Sequence, residues 1–138
     1  MPALHGATVE PFFLDSPDGP LFALHHRPAS DQRWVGNMLC CMPFNEEMNR
    51  CRSRVTWLAA TLCAQGFGVL VVDLLGTGDS AGHYRDARWS TWLDNLDTAR
   101  LWLDRQSGGC TSFLGIRLGA ILASELHARV GDSRIGLA

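Results

Sequence analysis

Gly115-Ile116-Arg117-Leu118-Gly119 is the segment whose residue types and spacing most directly suggest chemistry. It follows a short apolar run from Cys110 to Leu114 and opens a helix-forming one. That is the setting of the G-x-S-x-G pattern, in which a serine on a sharp strand-to-helix turn attacks a carbonyl. Gly115 and Gly119 occupy the glycine positions, and Arg117 stands where the serine would be. A guanidinium stays protonated and cannot act as a nucleophile. A helix start already points N–H groups and a positive dipole end outward. A cation added there is unfavourable by a few tenths to about 1 kcal/mol unless an anion answers it. Two readings stand. Arg117 and the N–H groups near Leu118 bind a carboxylate, phosphate or sulfate, or Arg117 is neutralised in a buried ion pair with Glu46, Glu47 or Asp73.

Glu46 and Glu47 are candidates for a general base that activates water without a covalent step. Adjacent helical residues point about 100° apart, so at most one faces the site. The plainer role of both is to stabilise the first turn against the helix dipole. Asp73, Gly76 and Gly78 lie in a glycine-bearing loop. Without G-K-[ST] that loop is weak evidence for a phosphate cradle. A tight turn with positive φ accounts better for Gly76 and Gly78. His25, His26 and His83 lack spaced partners and read as surface or loop residues. The five tryptophans fall mostly at helix-face spacing and read as core. Trp34, at the start of a strand, is the expected exposed exception.

The elements that position these residues follow from apolar periodicity. Val9–Leu14 and Leu21–His26 read as strands around the turn Ser16-Pro17-Asp18-Gly19-Pro20. Trp34–Met42 and Phe67–Asp73 are nearly continuous apolar runs, as in strands buried on both faces of a parallel sheet. A helix is expected over Asn45–Gln65, with Asn45 as N-cap and Gly66 as terminator. Its apolar face is Met48, Cys51, Val55, Leu58 and Leu62. A second helix carries Trp89, Trp92, Leu93, Leu96, Ala99 and Leu103 and breaks at Gly108-Gly109. The elbow strand and a helix over Leu118–Val130 follow, and Arg134–Ala138 reads as the beginning of another strand. A hairpin followed by strand–helix repeats predicts an α/β fold with a mostly parallel sheet in a single domain, residues 1–138.

Composition bounds the partners. Hydrophobic residues make up 46% and charged residues 19% of 138, with a net charge of −2. These values fit a globular domain without a basic patch for nucleic acid. No apolar run reaches the roughly 18 residues of a membrane span. No signal peptide is expected at Met1–Glu10. Five cysteines, an odd number with no C-x-x-C pair, argue for reduced buried thiols rather than disulfides or zinc. The expectation is a cytoplasmic protein with no metal and no cofactor.

The elbow and the loop Asp73-Leu74-Leu75-Gly76-Thr77-Gly78-Asp79-Ser80 resemble the α/β-hydrolase superfamily, the loop matching its D-x-x-G-x-G-x-S pattern. Within it, Pro43-Phe44-Asn45-Glu46-Glu47-Met48-Asn49-Arg50, Ala87-Arg88-Trp89 and Gly115–Ala120 are similar to the exosortase A system-associated hydrolases, specifically the hydrolase 2 group. The resemblance covers nearly the whole chain. It implies a bacterial protein linked to exopolysaccharide production and to sorting of proteins with a C-terminal anchor signal. It also implies that Phe44 N–H, just after the third strand, and Leu118 N–H are the oxyanion donors, with Arg usual at the elbow of this group. The superfamily's acid and histidine follow later strands, so the chain resembles an N-terminal portion, and His127 in the elbow helix is no substitute.

The expected function is hydrolysis of an ester or amide in a small-molecule or saccharide-linked substrate, anionic if Arg117 binds it. The alternatives are a non-catalytic binding or adaptor protein on the same scaffold and a truncated fragment.

Overall fold

A computed structural model describes residues 7–106 and 111–131. Its strands are β1 (Thr8–Leu14), β2 (Leu21–Arg27), β3 (Gly36–Cys41), β4 (Phe67–Val72) and β5 (Thr111–Gly115). Its helices are α1 (Asn45–Ala64), α2 (Trp89–Asp104) and α3 (Leu118–Val130), with a short 3₁₀ turn at Tyr84–Asp86. The expected break at Gly108-Gly109, Cys110 and the strand start at Arg134–Ala138 lie outside the described residues.

The sheet runs β1-β2-β4-β3-β5. β3 pairs parallel with both β4 and β5, while β2 is antiparallel to β1 and β4. This is the expected α/β architecture, an antiparallel hairpin leading into a parallel sheet. Leu39, Leu70, Val72 and Phe113 form one face with Leu96, Ala99 and Leu103 of α2 and Leu122 and Leu126 of α3. Cys40, Val69 and Val71 form the other with Met48, Val55, Ala59 and Cys63 of α1. The two faces explain why β3 and β4 are apolar at consecutive positions.

Several local expectations are corrected. The N-cap of α1 is Phe44, with extended backbone and no side-chain cap, and Asn45 is the first helical residue. Glu46 and Glu47 in the first turn supply the charge that a helix start favours. The buried face of α1 is Met48, Val55, Ala59 and Cys63, with Leu58 and Leu62 only half-buried. Small residues let α1 lie close to the sheet, so its largest side chains sit at the margins. β3 begins at Gly36 because the Trp34 indole N–H turns back to Gly36 O at 2.9 Å and Asn37 Oδ1 at 3.0 Å. Of the tryptophans, Trp92 is buried, Trp34 and Trp102 are half-buried, and Trp57 and Trp89 are exposed. His25 and His26 are buried in β2, while His83 is an exposed loop residue. A strand with both faces covered buries whatever it carries, including consecutive histidines.

Candidate functional site

β5 ends at Gly115 and α3 begins at Leu118, which leaves two residues to reverse the chain. Arg117 takes φ 58 and ψ −123, and it is the one non-glycine residue with positive φ among the described residues. Hydrogen bonds fix the turn from Ile116 N–H to Cys41 O at 3.1 Å, Gly119 N–H to Ile116 O at 2.9 Å and Ala120 N–H to Arg117 O at 2.9 Å. The glycines are required by contact. A Cβ on Gly115 would press on Ala120 Cα and lie 2.7 Å from Ala120 N. One on Gly119 would press on Cys41 O and lie 2.7 Å from Met42 O. The segment is therefore a strained elbow that projects one side chain from the C-terminal end of the parallel strands.

That side chain is 73% exposed, and its Nε lies 4.0 Å from Glu47 Oε1. The buried pair weighed for Arg117 is not formed: its partner is a half-exposed carboxylate at the limit of ion-pair distance, worth little in water. Glu46 turns away and meets Arg50 at 3.7 Å. Asp73 is buried and pairs instead with Arg52, whose Nη2 is 3.2 Å from both carboxylate oxygens. Of the acids considered, only Glu47 stands beside Arg117.

Phe44 is buried after β3, its ring 4.1 Å from that of Trp92 and 6.5 Å from that of Trp89. Its main chain caps α1. Leu118 N–H belongs to the first turn of α3, where donors lack intrahelical acceptors. Trp89 is itself tied to α3 by a 2.7 Å hydrogen bond from its indole N–H to Glu125. Leu118 and Ile121 expose apolar surface next to Arg117 on that helix.

The loop after β4 is tied together by its own main-chain donors. Gly76 N–H bonds Ala81 O, Thr77 N–H bonds Leu74 O, Asp79 N–H bonds the Asp73 carboxylate and Ser80 N–H bonds Thr77 O. Those donors are spent within the loop. Gly76 and Gly78 have φ of 77 and 48. A Cβ on Gly78 would press on the Asp73 carboxylate and lie 2.9 Å from Arg52 Nη2. The loop and the start of α1 enclose a cleft of about 220 Å³ lined by Met48, Asn49, Gly76, Thr77, Gly78 and Tyr84.

Two supporting residues escaped sequence reasoning. Arg52 follows Met48 by one helical turn, so a charge on the apolar face was the available signal for a buried acid. Asn95, buried on α2, accepts a 2.9 Å hydrogen bond from Leu75 N–H, and nothing local marks it. The described cysteines are free thiols. Burial pushes Cys40 up to about 12 and Cys63 up to about 11, and raises Cys41 as well. Their thiolates are scarce at neutral pH. Among the described residues no cluster of three potential metal ligands occurs, and no helix is long and apolar enough to cross a membrane.

Solved structures share this architecture. A lidless α/β serine hydrolase from Xanthomonas campestris superposes with a TM-score of 0.76 at 23% identity, over 89% of this chain and 57% of that one. A carboxyl esterase from Bacillus coagulans gives 0.75 at 18%, over 94% and 43%. A serine hydrolase homologue from Coxiella burnetii gives 0.70 at 24%, over 86% and 56%. The chain spans about half the length of these structures. At such identities the likeness shows the fold alone. No curated protein matches the chain. Residues 20–117, from β2 to the elbow arginine, match the family described as X-Pro dipeptidyl-peptidase (S15 family). With most of its length so matched and its sheet, crossovers and elbow in place, the chain belongs to the X-Pro dipeptidyl-peptidase (S15) family within the α/β-hydrolase superfamily.

Proposed function

We propose that the protein hydrolyses an ester or amide by direct attack of water, with Arg117 serving the developing oxyanion. The observation that carries this reading is the strained elbow presenting an exposed guanidinium beside Glu47. Glu47 takes a proton from water as the oxygen attacks the carbonyl carbon. The oxyanion is stabilised by Arg117 and by the N–H groups of Phe44 and Leu118. Collapse of the tetrahedral intermediate breaks the bond to the leaving oxygen or nitrogen, which takes the proton back from Glu47. Glu46, turned toward Arg50, serves the helix start. Asp73, Gly76 and Gly78 hold the loop beside the cleft and take no part in the chemistry.

The substrate is a small molecule or a saccharide-linked one, and an anionic group on it would answer Arg117. The motif resemblance supports a bacterial setting close to exopolysaccharide assembly and the exosortase A system, and the buried free thiols support a cytoplasmic one. Aryl esters, thioesters and acylated sugars assayed with wild type, Arg117→Ala and Glu47→Gln test the chemistry. Turnover lost by about 100-fold or more in each variant is expected, by comparison with removal of one oxyanion donor. Turnover equal in all three defeats it. The replacement of the serine by arginine favours a second reading, a non-catalytic binder on a hydrolase scaffold. Anionic sugars that bind wild type, fail to bind Arg117→Ala and are never turned over would support that reading instead.

A further inference from the structure

The chemistry proposed above leaves a buried imidazole unused. His25, in β2, is 1% exposed, and its Nε2 has no hydrogen-bond partner. Its ring meets Trp102 of α2 edge-on at 5.0 Å and Trp34 at 6.1 Å, and Phe12 of β1 closes over Trp102 at 4.7 Å. An unpaired polar nitrogen in such a cage is unfavourable even when neutral. A proton on Nε2 would cost more, because that nitrogen has no acceptor to receive it.

The surrounding charges do not help. β2 itself brings His26 and Arg27, both repulsive toward an imidazolium. β1 places Glu10 opposite His25, but Glu10 is paired with Arg27 at 3.7 Å. β4 places Leu70 opposite, and α2 and the segment before β3 contribute the two indoles. Burial first, then Arg27 and His26, lower the ring to about 4 from the ordinary 6.5.

α2 connects this cage to Phe44, the residue between β3 and α1. Trp102 lies on one end of the helix, and Trp92, tilted against Phe44 with ring centroids 4.1 Å apart, lies ten residues earlier. That separation is about 15 Å along a rigid helix. We propose that His25 is an acid-sensing latch: protonation of its ring loosens the His25–Trp102 contact that ties β2 to α2 and shifts α2 against Phe44.

The sign follows from linkage. The caged ring takes up its proton near pH 4, and a ring released to water would do so near the ordinary 6.5. The closed form is therefore at full strength above 6.5, weakens as pH falls, and weakens no further below about 4. The gap caps the shift in the open-to-closed ratio at about 300-fold.

The test is tryptophan emission and far-UV circular dichroism of the 138-residue chain from pH 7 to 4, for wild type, His25→Phe and the control His26→Leu. Wild type and His26→Leu should show an emission change between pH 6.5 and 4 with helix content retained. His25→Phe should lack it. A change that persists in His25→Phe, or is absent from wild type, overturns the latch. Should His25→Phe fail to fold at pH 7, His25→Gln replaces it, with NMR of the wild-type rings alongside. A His25 resonance that moves in that window together with the Trp102 indole supports the latch, and one that moves alone overturns it.

Discussion

Replacing Arg117 by glycine should stabilise the chain, although it deletes the most prominent side chain of the site. Arg117 holds φ 58 and ψ −123, outside the regions an L residue adopts freely. Such conformations cost about 1–3 kcal/mol and persist only where the surroundings impose them. Three main-chain hydrogen bonds within the turn and the close packing of Gly115 and Gly119 impose this one. Glycine removes the Cβ that makes φ 58 costly, and returns roughly 0.5–1 kcal/mol through the greater entropy of its unfolded chain. The net gain is about 0.5–2 kcal/mol. For a chain of this size each kcal/mol moves the melting temperature by roughly 3–4 °C, so a rise of about 2–8 °C is expected. The comparison that isolates the backbone is Arg117→Ala, which keeps a Cβ and loses the same exposed contact with Glu47. Calorimetry or chemical denaturation of both variants measures the difference. If the glycine variant is no more stable than the alanine variant, the elbow carries no strain and the argument fails.

Gly119→Ala should act in the opposite sense, because the new methyl meets the main chain of Cys41 and Met42, which belongs to β3 and its end and cannot move aside. A loss of about 1–3 kcal/mol or more is expected from overpacking, read as a fall in denaturation midpoint, and an unchanged midpoint would mean that α3 is not seated as described. Arg52→Met should cost about 2–4 kcal/mol by leaving the Asp73 carboxylate buried without its cation. Asp73→Asn in the same background should recover part of that loss, and a double-mutant cycle with no coupling would show that the two groups do not interact.

Much of the fold was legible because the β-strands and helices repeat apolar residues at their own periods. β4 is Phe67–Val72 with five consecutive buried residues, and no amphipathic alternative suits it. The strand order, with β4 between β2 and β3, was not legible, because crossover handedness alone does not choose neighbours. What escaped was tertiary in origin. The buried stripe of α1 depends on how closely the helix lies to β3 and β4, and small residues at Ala59 and Cys63 decided that over larger leucines. His25 and His26 read as surface or loop residues, yet in a strand flanked on both sides their burial is set by neighbours that no local pattern reveals. Asp73 was assigned to its loop, but its partner depended on a register between α1 and β4 that only packing fixes.

The elbow separates two demands that a catalytic serine combines. Gly115, Gly119, the positive φ and the hydrogen bonds to Cys41 and Ile116 are all needed to present one side chain, whatever its chemistry. Nothing in them selects a nucleophile. A strained position occupied by a residue that neither buries apolar surface nor forms a strong ion pair is expensive to retain for stability alone. Arg117 is 73% exposed and 4.0 Å from Glu47. Under the proposed function, an anionic group of the substrate answers Arg117 at this position. An anion is the partner that a guanidinium at a helix start can bind without further reorganisation. The predicted gain in stability on substitution by glycine and the predicted loss of turnover or anion binding on substitution by alanine are therefore two measurements of the same trade.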